Sequence, residues 1–127
     1  MPCTMSPRQV VLPADVTAPR TARAFLAAAC CGRHEAEVVQ EAQLLVSELV
    51  TNAVRYGAPP IELQVRCAGD DRLQVRVRDS EPRAPRAAEA GPDAESGRGL
   101  LLVDLVSDAW GHEDDDDGKA VWFTLRV

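Results

Sequence analysis

Aromatic residues are scarce: two Trp, two Phe and one Tyr in 127 residues. The core must therefore be built mainly from aliphatic side chains. No Cys-x-x-Cys pair exists, and Cys30-Cys31 are neighbours, a poor arrangement for one metal or a routine disulfide. With Cys3 and Cys67 isolated, the expectation is four buried free thiols in a reducing cytosol. The two histidines, His34 and His112, read as surface residues, and two histidines so placed leave no defensible Ser-His-Asp order. No apolar run is long enough to span a bilayer. The start, Met1-Pro2-Cys3-Thr4-Met5-Ser6-Pro7-Arg8, lacks the basic and apolar regions of a secretory signal, so a cytoplasmic location is expected, with no membrane partner. A basic excess is also missing. The net charge of −6 argues against direct binding of nucleic acid. No Gly-x-x-x-x-Gly-Lys-Ser/Thr loop occurs, and Leu102 holds the place of the third glycine of the dinucleotide fingerprint.

What is present suggests one domain, residues 8–127, after a flexible tail of residues 1–7. Gln9 to Leu12 reads as a first strand. Thr17 is a candidate N-cap with Pro19 in the first turn of an Ala-rich helix that ends before Gly32. A second helix runs from about Glu35 to Tyr56, with Val38, Val39, Ala42, Leu45, Val46, Leu49, Val50 and Ala53 as its apolar stripe and Gly57 as its stop. Ile61 to Cys67 and Leu73 to Val77 alternate apolar and polar residues, a hairpin turning at Gly69-Asp70-Asp71 with one buried and one arginine-bearing face. Proline-rich residues 80–96 read as a long loop. A short apolar helix at Leu100 to Val106 and a last pair of strands complete the order. Glu113 to Gly118 reads as an acidic, solvated turn, because it fails the calcium-loop spacing. Trp122 falls on the open sheet face. The fold class expected is α+β: a two-layer sandwich with a mostly antiparallel mixed sheet and helices on one face.

Three places carry chemistry. Glu48 and Asn52 are four apart on the second helix and share a side of it. An amide oxygen can ligate Mg²⁺, and a carboxylate can take a proton from a nucleophile. Asp79 continues the alternation of Leu73, Val75 and Val77, so its carboxylate should point under the helices and needs a partner there, for instance an exocyclic amine. The bland alternative has Asp79 ending the strand in solvent. Gly97-Arg98-Gly99 precedes a helix, where bare backbone and free N–H groups suit a phosphate, with Arg98 able to add a charge-assisted bond.

In this order the segments resemble the three boxes of the GHKL ATPases, the family of the Bergerat ATP-binding fold. Leu45-Val46-Ser47-Glu48-Leu49-Val50-Thr51-Asn52-Ala53-Val54-Arg55-Tyr56-Gly57 is similar to the N box, Val77-Arg78-Asp79-Ser80 to the start of the adenine box, and Ser96-Gly97-Arg98-Gly99-Leu100 to the second glycine box. Within the family the likeness is to actinobacterial anti-sigma-factor serine/threonine kinases. The resemblance implies ATP and Mg²⁺ as cofactors, with Mg²⁺ on Asn52. Glu48 would be the general base toward a partner's serine and Asp79 the adenine reader. Gly97, Arg98, Gly99 and Leu100 would lie by the phosphates. It implies an anti-anti-sigma protein and/or a sigma factor as partners, and a homodimer. Three positions depart from the pattern: Ser80-Glu81-Pro82 replaces a glycine-containing turn, Glu95 stands where some kinases have arginine, and Lys119 stands where a threonine is common. These departures keep open a second reading, an ATP-dependent regulator that binds partners without transferring phosphate.

Overall fold

The computed structural model describes residues 7–30, 36–67, 72–81 and 101–126. Five strands and two long helices follow in the order β1 (Arg8–Leu12), α1 (Ala18–Ala29), α2 (Ala36–Tyr56), β2 (Ile61–Cys67), β3 (Arg72–Asp79), β4 (Ala109–Asp115) and β5 (Gly118–Arg126). Residues 101–106 are also helical. The sheet order is β1-β2-β3-β5-β4, and every pairing is antiparallel, so no parallel pair occurs among the described strands. Both helices pack on one face of this sheet, as expected of a two-layer α+β sandwich.

Alternation decides which face each strand buries. Ile61, Leu63 and Val65 on β2, Leu73, Val75 and Val77 on β3, and Phe123 and Leu125 on β5 all lie at 4% exposure or less. The helices answer with residues at three- and four-residue spacing, Ala18, Ala22, Leu26 and Ala29 on α1 and Ala42, Leu45, Val46, Leu49, Val50 and Ala53 on α2. Each fully buried Leu or Val contributes about 1.5–3 kcal/mol. The many alanines let α1 and α2 approach closely. A polar clasp fixes their contact: Arg23 Nη1 donates to Ser47 Oγ at 3.0 Å, and Gln43 Nε2 donates to the Arg23 carbonyl at 3.2 Å.

Several local expectations change. Thr17 is the N-cap residue of α1 but makes no capping bond. Its hydroxyl donates instead to Asp15 Oδ1 at 2.5 Å, and its backbone N–H donates to the same oxygen at 2.8 Å. Those two bonds, the hydroxyl's first, hold the Asp15 carboxyl below its ordinary pKa. The acidic run is not all turn: Glu113, Asp114 and Asp115 belong to β4, and β5 begins already at Gly118. Cys67 is disulfide-bonded, which corrects the expectation of four free thiols; its partner lies outside the described residues. Cys30 is free and half-buried, and burial pushes its thiol pKa up. The tail at residues 1–6, Gly32, the turn at 69–71 and most of the long loop lie outside the described residues.

The opposite sheet face carries Gln64, Arg66, Gln74, Arg76, Arg78 and Trp122. Trp122 lies flat across Gly111, where a Cβ would come within 2.9 Å of the indole.

Candidate functional site

The C-terminal half of α2 supplies the first part of the site. Glu48 and Asn52 lie one turn apart beside the apolar stripe, and both are half-buried while Leu49, Val50 and Ala53 are buried. The Glu48 side chain makes no hydrogen bond or ion pair with another described residue. At about 1.5 Å of rise per residue, Asn52 stands about 7.5 Å along the axis from Gly57, and Glu48 about 13.5 Å.

Asp79 supplies the second part, at the end of β3. It is 4% exposed and faces the helix layer, so the strand alternation holds to its last residue. Burying a carboxylate this deeply requires partners. Oδ1 accepts the Glu81 N–H at 2.7 Å and the Lys119 ammonium at 3.1 Å. The first bond closes an Asx-type turn, in which the carboxylate itself turns the chain at Ser80-Glu81 where a glycine was expected. The Ser80 N–H donates to the Ala58 carbonyl at 2.8 Å and ties this turn to the chain leaving α2. No hydrogen bond to Oδ2 comes from a described residue.

Two glycines make room for this carboxylate. A Cβ on Gly57 would lie 2.5 Å from Asp79 Cγ and 2.6 Å from Oδ2. On Gly118 it would lie 2.2 Å from the Asp79 carbonyl oxygen, and φ there is +157°, a conformation L side chains rarely adopt. Gly57 is thus more than a helix stop, and Gly118 more than a turn residue. Lys119 is the register partner of Asp79 across β3 and β5. It is 8% exposed, and its ammonium also donates to the Glu81 carbonyl at 3.4 Å.

The structure therefore brings Asp79 to the end of α2 that also carries Asn52 and, a turn earlier, Glu48. Gly97, Arg98, Gly99, Leu100 and Glu95 lie outside the described residues. In sequence Lys119 stands out only as a lysine where a threonine is common; its ion pair with Asp79 emerges from the fold. The available signal was the strand pairing, since a charged residue on the buried parity of β5 needs a buried counter-charge.

A described cluster of three or more His, Cys, Asp or Glu side chains able to hold a metal is absent among these residues. Likewise, no described helix is long and apolar enough to cross a membrane.

The profile of the histidine kinase-like ATPase domain matches residues 12–125. The chain is 37% identical over 82 residues to the uncharacterized protein SCO4941 of Streptomyces coelicolor, covering 60% of this chain and 76% of that one. Among solved structures it is similar to the RsbU and RsbW domains of Rv1364c from Mycobacterium tuberculosis, with a TM-score of 0.72 at 22% identity. That match covers 95% of this chain but only 32% of the other, so the chain spans about a third of that protein. It is also similar to the histidine kinase domain of the blue-light activated histidine kinase of Erythrobacter litoralis, with a TM-score of 0.53 at 21% identity, covering 70% and 44% of the two chains. At these identities the structural likeness establishes the fold alone.

Proposed function

The chain belongs to the histidine kinase-like ATPase domain family, and from that premise we propose that it is an ATP-dependent serine/threonine protein kinase acting on a small anti-anti-sigma partner. Phosphorylating that partner would leave a sigma factor free to be captured, which makes the chain an anti-sigma regulator in the cytoplasm. The observation that carries the reading is the buried Asp79 carboxylate, packed against Gly57, with Oδ1 engaged and Oδ2 taking no hydrogen bond from a described residue. That acceptor suits the exocyclic amine of adenine, because the amine donates where Oδ2 still accepts.

The order of groups along α2 supports the rest. With the base at Asp79, an extended nucleotide reaches Asn52 before Glu48. Asn52 would hold Mg²⁺ through its amide oxygen. An ion held by one protein oxygen plus phosphates and water is the usual Mg²⁺ arrangement, and the described residues gather no all-protein metal cage. When bound, the ion would neutralise charge on the phosphates. Glu48 would accept the proton of the partner's serine hydroxyl as that oxygen attacks the terminal phosphorus and ADP leaves. Gly97, Arg98, Gly99 and Leu100 would give backbone N–H groups and one guanidinium to the phosphates.

The test is calorimetric titration with Mg-ATP and Mg-ADP, followed by phosphate transfer to a candidate partner. Wild-type protein should bind saturably, and Asp79→Asn should bind at least tenfold more weakly. Glu48→Ala should still bind ATP and transfer no phosphate. Absence of binding in the wild type would sink the nucleotide reading. A second reading, ATP-dependent partner capture without transfer, is favoured by Glu48 lacking a described partner to orient it. Wild-type binding of ATP and partner with no phosphorylated product would select it.

A further inference from the structure

We propose that Lys119 reads the nucleobase together with Asp79, the ammonium donating to ring nitrogen N1 of adenine while the carboxylate accepts from the N6 amine. This deepens the nucleotide reading above and rests on it. The argument starts from the cost of the lysine. A lysine side chain at 10% exposure has lost most of its water, and a buried ion pair returns little or no net stability against an apolar pair of similar volume. Stability therefore does not account for a lysine on the buried parity of β5, next to Val121, Phe123 and Leu125.

The bonds that remain unmade point to a ligand. An ammonium has three N–H donors. Among the described residues two acceptors take them, Asp79 Oδ1 at 3.1 Å and the Glu81 carbonyl at 3.4 Å. Asp79 Oδ1 is filled by Lys119 and the Glu81 N–H, while Oδ2 has no described donor. The pair is left with one donor beside one acceptor, both on groups at least nine-tenths buried. Direct register partners hold their Cβ atoms about 4.5–5.5 Å apart, so the two capacities are neighbours on one wall. An amidine edge has the complementary pattern: an N–H donor on the exocyclic amine and an acceptor on the adjacent ring nitrogen. Adenine carries that edge. A threonine hydroxyl in place of Lys119 would offer a neutral bond, whereas the ammonium offers a charged and stronger one.

The experiment compares ADP with 1-deaza-ADP, in which N1 is replaced by C–H, by calorimetry on the full chain. Wild type should prefer ADP roughly 10- to 100-fold, the range for a hydrogen bond to a charged group. Lys119→Met should lose most of that preference, whatever its absolute affinity. Circular dichroism checks that it folds; if it does not, Lys119→Met is combined with Asp79→Asn, which removes the buried carboxylate left without its counter-charge, and the preference for ADP should be lost there too. Equal affinity of wild type for the two ligands overturns the proposal while leaving the nucleotide site intact. An ADP preference that survives in the folded variant also overturns it, because a merely structural lysine weakens both ligands in parallel. No saturable ADP binding by wild type removes the nucleotide reading itself, and this proposal with it.

Discussion

Gly57 shows how much one missing methyl group decides. Its Cα faces Asp79 so closely that a Cβ would fall 2.5 Å from Cγ and 2.6 Å from the Ala53 carbonyl oxygen. Neither neighbour can yield freely, since the carbonyl belongs to the last turn of α2 and the carboxylate is held by Glu81 and Lys119. Gly57→Ala should therefore destabilise the fold by about 1–3 kcal/mol, the usual cost of overpacking. It should also weaken nucleotide binding at least tenfold by moving Oδ2. Urea unfolding and calorimetry on the same variant check both, and unchanged affinity would show that Oδ2 is not a ligand contact. The direction of Asp79 was legible in sequence because a strand's period of two needs no tertiary knowledge. Its partner was not legible. Lys119 lies 40 residues further on, and only the sheet order, which places β5 beside β3, sets the two in register.

At the scale of elements, both helices and most strands follow from periodicity, and the differences have local causes. Composition alone makes Glu113-Asp114-Asp115 look like turn, yet they belong to β4, one of the two edge strands of the sheet. Charged side chains suit an edge strand because they discourage pairing with another chain. Thr17 was read correctly as the first boundary of α1 but not in its bonding, because Asp15, two residues earlier, competes for its hydroxyl. The contact between the helices rests on small residues, and Ala22 at 0% exposure is one of them. Ala22→Leu should push α1 outward and cost about 1–3 kcal/mol. Ala28→Leu, at an exposed position of the same helix, should change stability by less than about 0.5 kcal/mol. Denaturant midpoints distinguish the two. If both variants unfold alike, the α1 layer is not packed as described.

The whole molecule gathers its candidate site from three elements that are far apart in sequence: α2 provides Glu48, Asn52 and Gly57, β3 ends in Asp79, and β5 begins with Gly118 and Lys119. None of these elements has the site alone, so a nucleotide that binds it binds only the folded chain. Binding and folding are then linked, and ligand at 100 times its dissociation constant should add about 2.7 kcal/mol of stability. For a domain of this size that corresponds to a rise in melting temperature on the order of 10 °C. ADP should produce most of the rise if the base and first phosphates dominate the contact. Asp79→Asn, binding at least tenfold more weakly, should show no more than about half of that rise at the same ligand concentration, even where the variant's own melting temperature is lower. The comparison isolates the site from general effects of ligand charge, because a nonspecific anion effect would act equally on both proteins. A rise of the same size in Asp79→Asn would place the ligand away from the β3–β5 end of α2 and detach the ATPase-family fold of this chain from the pocket assigned to it.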